Sequence, residues 1–264
     1  MAFQPIYSVR RITLLRRYIT IIVLGFLTAC GGGGGGSGTP PPVVSTLTFQ
    51  FNTAWGAFQQ QSTTVPITLS GTASYAPLGL SYAITGSGTV IQTSSTSQQP
   101  AINGVGTVTA IKVTRIYNFD AYANGIRIPQ TLTDVSYYDP ATYAYMGGTY
   151  TDSSGNPSVS NFLLAGWTAP PDTLQCCNSG TAFYQTATAP GGAMVHDILL
   201  GIAADTANSV FVNLTDNTPS GNSRTYRLDY PNTLTIVTEN INAVANVTTT
   251  KGTYPFNAAV TFHY

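Results

Sequence analysis

The sequence predicts an all-β protein, an antiparallel β-sandwich or flattened barrel with at most one short helix. Three observations carry this. Short segments alternate apolar and polar residues with period 2, the pattern of a half-buried strand. Those segments are rich in β-branched and aromatic residues and are bounded by Gly, Pro, Asn or Asp. The pair Asn124-Gly125 interrupts a long alternating run, and Asn-Gly is the strongest short-range signal for a two-residue hairpin turn.

Taken in order, "TLTFQFN" puts Leu47, Phe49 and Phe51 on one face of a strand and Thr48, Gln50 and Asn52 on the other. "LSYAIT" aligns Leu80, Tyr82 and Ile84. The stretch from Thr107 to Ile128 reads as a strand, the Asn124-Gly125 turn and a returning strand. "MVHDILLGIAADTA" spaces Val195, Ile198, Leu199 and Ile202 nearly as a helix does. The single short helix is therefore expected over Met194 to Ala204, with a buried strand as the alternative. "VFVNL" aligns Val210, Val212 and Leu214, a hairpin is expected through "TDNTPSGNSRTYRLDY", and "TLTIVTE" aligns Leu234 with Ile236. The final "PFNAAVTFHY" alternates Phe256, Ala258, Val260, Phe262 and Tyr264 against Asn257, Ala259, Thr261 and His263.

The N-terminus has a different grammar. Arg10, Arg11, Arg16 and Arg17 precede an apolar run from Tyr18 to Phe26, then small residues precede Cys30, the order of an export signal. The greasy run is too short for a spanning helix, which needs about 20 apolar residues. Leu27-Thr28-Ala29-Cys30 resembles the lipobox of bacterial lipoproteins. The resemblance implies cleavage before Cys30 and acylation of its thiol, palmitate being one such chain. With Gly31 following, it also implies sorting to the outer membrane, on the periplasmic or the surface face. More than one acyl chain is needed for stable anchoring, each buried methylene adding about 0.8 kcal/mol. Residues Gly31 to Gly38 have the composition of a flexible coil spanning roughly 16 Å, and Pro40-Pro41-Pro42 adds a stiffer piece.

The organisation expected is a signal over 1–29, a lipidated tether over 30–42 and a β-domain over 43–264. The Pro170-Pro171 and Pro190-Gly191-Gly192 stretches mark a candidate seam near 166–192 between two sub-domains. Two weaker resemblances concern the domain itself. "GSGTV", the Asn124-Gly125 hairpin and "VSYYDPATYAYMGG" are similar to uncharacterised bacterial lipoproteins, a resemblance that carries no known activity to transfer. The final aromatic strand resembles the closing strand of outer-membrane barrels. Most other strand candidates are too short and Thr-rich for the lipid-facing strands of about 9–11 residues that such a barrel repeats.

Only 8% of the chain is charged against 43% hydrophobic, which excludes a charge-driven disordered tail. Beyond the export segment six basic residues face ten acidic ones, a formal charge of −4, which argues against a nucleic-acid partner. Adjacent Cys176 and Cys177 are a candidate disulfide, either a structural bridge on a loop or a redox or ligand-clamping ring; the alternative is two quiet thiols.

Chemistry-bearing motifs are sparse. There are two histidines, His196 and His263, and no G-x-S-x-G elbow, so a hydrolase would need one of them brought to a Ser or Asp by the fold. Glu239 is the only glutamate, and the aspartates sit in turn contexts such as Asp139-Pro140 and "TDSSGNP". No zinc-type spacing occurs, so no metal or other cofactor is expected. Tyr137, Tyr138, Tyr143, Tyr145 and Tyr150 cluster in sequence. With Trp55 and Trp167, the pair Tyr143 and Tyr145 would suit a polar, ring-shaped ligand or line the edge of a core. The expected function is a non-catalytic, lipid-anchored envelope protein that binds or packs. Its partners are the membrane through Cys30, and envelope proteins or glycans. The alternatives are a carbohydrate- or ligand-binding module and, ranked last, a hydrolase.

Overall fold

The computed structural model describes residues 4–5, 44–75, 79–100, 107–123, 125–151, 155, 157–160, 169–177, 198–216, 221–249 and 252–264. In chain order the elements are β1 (Gln4–Pro5), β2 (Thr48–Phe49), α1 (Phe51–Gln60), β3 (Thr63–Tyr75), β4 (Leu80–Pro100), β5 (Thr107–Ala123) and β6 (Ile126–Tyr138). They continue with β7 (Tyr145–Thr151), β8 (Pro157–Ser160), β9 (Leu174–Gln175), β10 (Ile198–Thr206), β11 (Ser209–Asp216), β12 (Ser223–Asp229), β13 (Thr233–Thr249) and β14 (Gly252–His263).

The all-β class is the observed one. A single antiparallel sheet runs in the order β10-β11-β12-β13-β14-β3-β4-β5-β6-β7-β8, with β1 beside β13, and among the described residues it does not close into a barrel. A second, two-stranded sheet joins β2 to β9. Strands from both sides of the 166–192 stretch share the large sheet and its core.

The sheet is strongly curled, and its concave face holds the core. Strands β5 and β13 are four places apart, about 19 Å if the sheet were flat. Yet Tyr117 on β5 touches both Phe262 on β14, with ring centroids 5.9 Å apart, and Glu239 on β13. Gly71, Gly86 and Gly88 lie on this concave face. A Cβ at any of them would run into backbone of the neighbouring strand, at Ala259, Asp120 and Asn118 respectively. Glycine interiors are where a sheet bends most sharply.

Helix α1 lies against the concave side. Phe51, Ala54, Trp55 and Phe58 fall at i, i+3, i+4 and i+7, one stripe of a helix, and all are buried. That stripe meets Ile111 and Val113 of β5, Leu200 and Ile202 of β10, Val210 and Val212 of β11, and Tyr226 and Leu228 of β12. Trp55 is central: its ring stands edge-on to Tyr138 at 6.2 Å and Tyr226 at 5.7 Å, and is tilted against Phe51 at 5.9 Å. Each such pair adds about 0.5–1.5 kcal/mol beyond burial. A second cluster, Ile67, Leu69, Val90, Tyr117 and Phe262, fills the other half of the same face.

Three expectations are corrected. Strands expected to be short are long: β3 and β6 have 13 residues, β5 and β13 have 17, and β4 has 21, because the two-residue alternation continues through Thr- and Ser-rich stretches that pair along their whole length. The "TLTFQFN" strand survives only as the two residues of β2, and the chain turns into α1 at Phe51. Burial of four side chains outweighs the poor helix propensity of Asn, Thr, Gly and Phe. The helix expected over Met194 to Ala204 is β10 from Ile198 onward; Met194 to Asp197 lie outside the described residues. Leu200 and Ile202 pair with Leu214 and Val212 and face the core with period 2, while exposed Leu199 completes the apolar run that imitates a helix.

The expected hairpins are present. Ala123 pairs with Ile126 across the Gly125 turn, where φ is 75°, and β11 pairs with β12. The C-terminal strand β14 is held between β13 and β3.

Candidate functional site

The chemistry-bearing side chains gather in a buried polar belt between the two apolar clusters of the concave face. Its first half centres on Glu239, which is 4% exposed. A β-bulge places it there. From Leu228↔Leu234 to Tyr226↔Ile236 the β12–β13 register is regular; it then shifts, so that Thr225 faces Thr238 and Arg224 faces Glu239. Simple alternation after Leu234 and Ile236 would have put Thr238 inward, and the shift substitutes Glu239. Tyr264 N–H donates to the bulged Val237 carbonyl at 3.0 Å.

Arg224 Nε and Nη2 donate to Glu239 Oε1 at 2.7 and 2.6 Å, a forked ion pair. The hydroxyls of Tyr117 and Tyr264 donate to Oε2 at 3.1 and 2.8 Å. Burial alone would raise the Glu239 pKa. The charge and hydrogen bond of Arg224, the Tyr264 hydroxyl and the charge of Arg115 overcome it and hold the carboxyl below its usual range. Burial first, and then Glu239, pushes the phenols of Tyr117 and Tyr264 well up, so both stay protonated donors.

The second half centres on Arg115, 6% exposed. It is opposite Gln92 on β4 and Asp134 on β6. Its Nε donates to Gln92 Oε1 at 2.8 Å, Nη2 to Gln59 Oε1 at 2.7 Å, and Nη1 faces Asp134 Oδ2 at 3.5 Å. Burial works against its charge, yet Tyr138, Asp134 and Tyr117 outweigh it and raise the pKa. Gln92 Nε2 in turn donates to the carbonyls of Phe58 and Gln61 at 2.8 and 3.1 Å, capping the C-terminal end of α1. A cation near that end complements the helix dipole. The belt therefore fastens α1 to β4, β5 and β6, and β5 to β13. Its carboxylate and cations are engaged with one another.

The residues singled out from the sequence fall elsewhere. Trp55 is at the centre of the core and 8% exposed. Tyr143 and Tyr145 are half-buried against the same core. Tyr143 adopts a left-handed φ of 57° after a turn in which Asp139 Oδ1 accepts from Ala141 N–H and Thr142 N–H at 2.9 and 2.7 Å, as the Asp-Pro context suggests. Its ring lies over Gly56, where a Cβ would collide with it, and Gln60 Nε2 donates to its hydroxyl at 3.3 Å. Tyr145 is edge-on to Tyr138 at 5.7 Å. Cys176 and Cys177 form a vicinal disulfide, with Cys176 against the core. Cys30, Trp167, His196 and the "TDSSGNP" positions Asp152, Ser154 and Asn156 lie outside the described residues.

His263 is exposed on the convex face and its Nε2 lies 3.2 Å from Ser70 Oγ; among the described residues it meets no carboxylate. Among those residues no group of three or more His, Cys, Asp or Glu could hold a metal ion, and no helix is long and apolar enough to cross a membrane.

Sequence reasoning missed the belt, although half of it was readable. A two-residue turn at Asn124-Gly125 sets Ala123 opposite Ile126, and counting outward sets Arg115 opposite Asp134. The Arg224–Glu239 pairing depends on the bulge and has no comparable signal. Comparison with protein-family models, curated proteins and solved structures finds no match to this chain.

Proposed function

We propose that the protein is a lipid-anchored cell-envelope protein, held on the outer membrane through acylated Cys30, whose β-domain works by binding or packing and not by catalysis. The observation that carries this is Leu27-Thr28-Ala29-Cys30, placed after a charged and apolar export segment and before a Gly/Pro tether. The buried belt agrees with it. Glu239 is spent on Arg224, Tyr117 and Tyr264, and Arg115 on Gln59, Gln92 and Asp134, a pattern that fastens a fold and leaves little acid or base for chemistry.

The test has two parts. The intact mass of the mature protein should correspond to a chain starting at Cys30 with added acyl groups, and Cys30→Ala should abolish them. Protease shaving of intact and lysed cells then assigns the membrane face. The epitope for that assay belongs after Gly125, in an exposed turn, because the side chain of Tyr264 is built into the belt. A non-acylated mature protein starting elsewhere would overturn the proposal.

A hydrolase is the second reading, and the Ser70–His263 contact favours it. Loss of a measured esterase activity in both Ser70→Ala and His263→Ala would establish it.

A further inference from the structure

Apart from Leu199 on the edge strand β10, the exposed large apolar side chains among the described residues lie at two opposite ends of the sheet. Leu80, Tyr122 and Ile126 mark the end with the β3–β4 and β5–β6 turns, while Val44 (60% exposed) and Tyr230 (51%) mark the end where the chain enters the domain. The second pair flanks one turn, between β10 and β11. Ser45 Oγ donates to the Ala207 carbonyl at 2.8 Å, and Tyr230 N–H donates to the Asn208 carbonyl at 2.8 Å. Phe49 stands edge-on to the Tyr230 ring at 6.1 Å, and Gln50 N–H donates to the Pro231 carbonyl at 2.9 Å, so the exposed ring has a rigid base.

We infer that this end of the domain rests on the lipid surface, with Tyr230 and Val44 inserted among the headgroups of the bilayer that carries Cys30. The inference rests on the lipid-anchoring reading. The occupant follows from where the chain enters. Thirteen residues, Gly31 to Val43, separate Cys30 from Val44. A Gly-rich chain of that length has a typical span of roughly 20 Å, which keeps this end at an effective concentration of the order of millimolar to the surface. Under such tethering two side chains suffice to bias the orientation. A tyrosine suits the interface because its ring is apolar and its hydroxyl reaches the headgroups. The local charge is not basic: Arg227 pairs with Asp205 at 2.8 Å and faces Asp229 at 3.4 Å, one cation between two carboxylates. The contact is therefore apolar and insensitive to salt on zwitterionic lipid, and weaker on anionic lipid until salt screens the repulsion.

The experiment couples Cys30 of the mature chain to a maleimide lipid in phosphatidylcholine vesicles and compares amide hydrogen exchange with the same protein free in solution. Chemical coupling makes the result independent of whether cells acylate Cys30, which the mass measurement settles separately. Slower exchange at 206–208 and 229–230 on the vesicles, unchanged at 79–81 and 125–127, is expected. The double variant Val44→Ser, Tyr230→Ser should remove the difference, and added phosphatidylglycerol should reduce it. Equal exchange in both states, or slowing at the opposite end, overturns the inference. So does slowing that disappears when the protein-to-lipid ratio is lowered tenfold, since a second copy would then be the occupant.

Discussion

The Tyr117 hydroxyl donates to Glu239 Oε2 at 3.1 Å although three strands, β14, β3 and β4, separate β5 from β13 in the sheet. That bond exists only because the sheet curls, and it makes the belt a reporter of the curl. Tyr117→Phe should lose about 1–2 kcal/mol. Glu239→Gln should lose about 3–5 kcal/mol by leaving Arg224 without its counter-ion. In a double-mutant cycle by denaturant unfolding the two substitutions should be strongly non-additive; additivity would mean the bond contributes nothing.

The belt also sets a pH profile. Glu239 is held below its usual range, so its contribution is present above the unfolded carboxylate pKa and is lost as pH falls through the lower folded value. Thermal unfolding midpoints should therefore drop below about pH 4 in the wild type, and less so in Glu239→Gln. On the alkaline side burial pushes Tyr226 up to about 12, and Tyr117 and Tyr264 are raised as well. Their stabilisation is complete below the unfolded phenol pKa, about 10, and fades as pH rises toward the folded values. Ultraviolet titration should show tyrosines that ionise only with unfolding.

Gly88→Ala is expected to destabilise the domain by about 1–3 kcal/mol or more. Its new Cβ would meet the Asn118 carbonyl and Phe119, both part of the neighbouring strand and unable to swing aside. Unfolding in urea checks this. An unchanged midpoint would mean the strands are not pressed together there.

Trp55→Ala should cost about 3–5 kcal/mol, because the ring fills the space between α1 and the sheet. A Trp55 that served an external ligand would instead be replaceable with little change in the unfolding midpoint.

The vicinal disulfide leads to a different expectation. The loop it closes contains no intervening residue, so its constraint on the unfolded chain is small. Replacing both Cys176 and Cys177 by Ser should shift stability by no more than about 1 kcal/mol, and intact mass under non-reducing alkylation should show neither thiol free.

The all-β class, the β5–β6 and β11–β12 hairpins and the aromatic C-terminal strand were legible in the sequence, because alternation and turn residues act over a few neighbours. The address implied by Cys30 and its flanks is a proposal carried by the sequence alone. The helical stripe Phe51, Ala54, Trp55, Phe58 went unread, because it overlaps the alternation of Leu47, Phe49 and Phe51 and local pattern cannot choose between them. Tertiary burial chose the helix. It also chose a strand for Ile198–Thr206, where a continuous apolar run fits either period. The curl, the bulge that turns Glu239 inward and the meeting of Arg115 with Gln59 belong to the tertiary structure alone. Each depends on contacts between residues far apart in sequence, whose cost in chain entropy is offset only when the whole concave face closes on the helix.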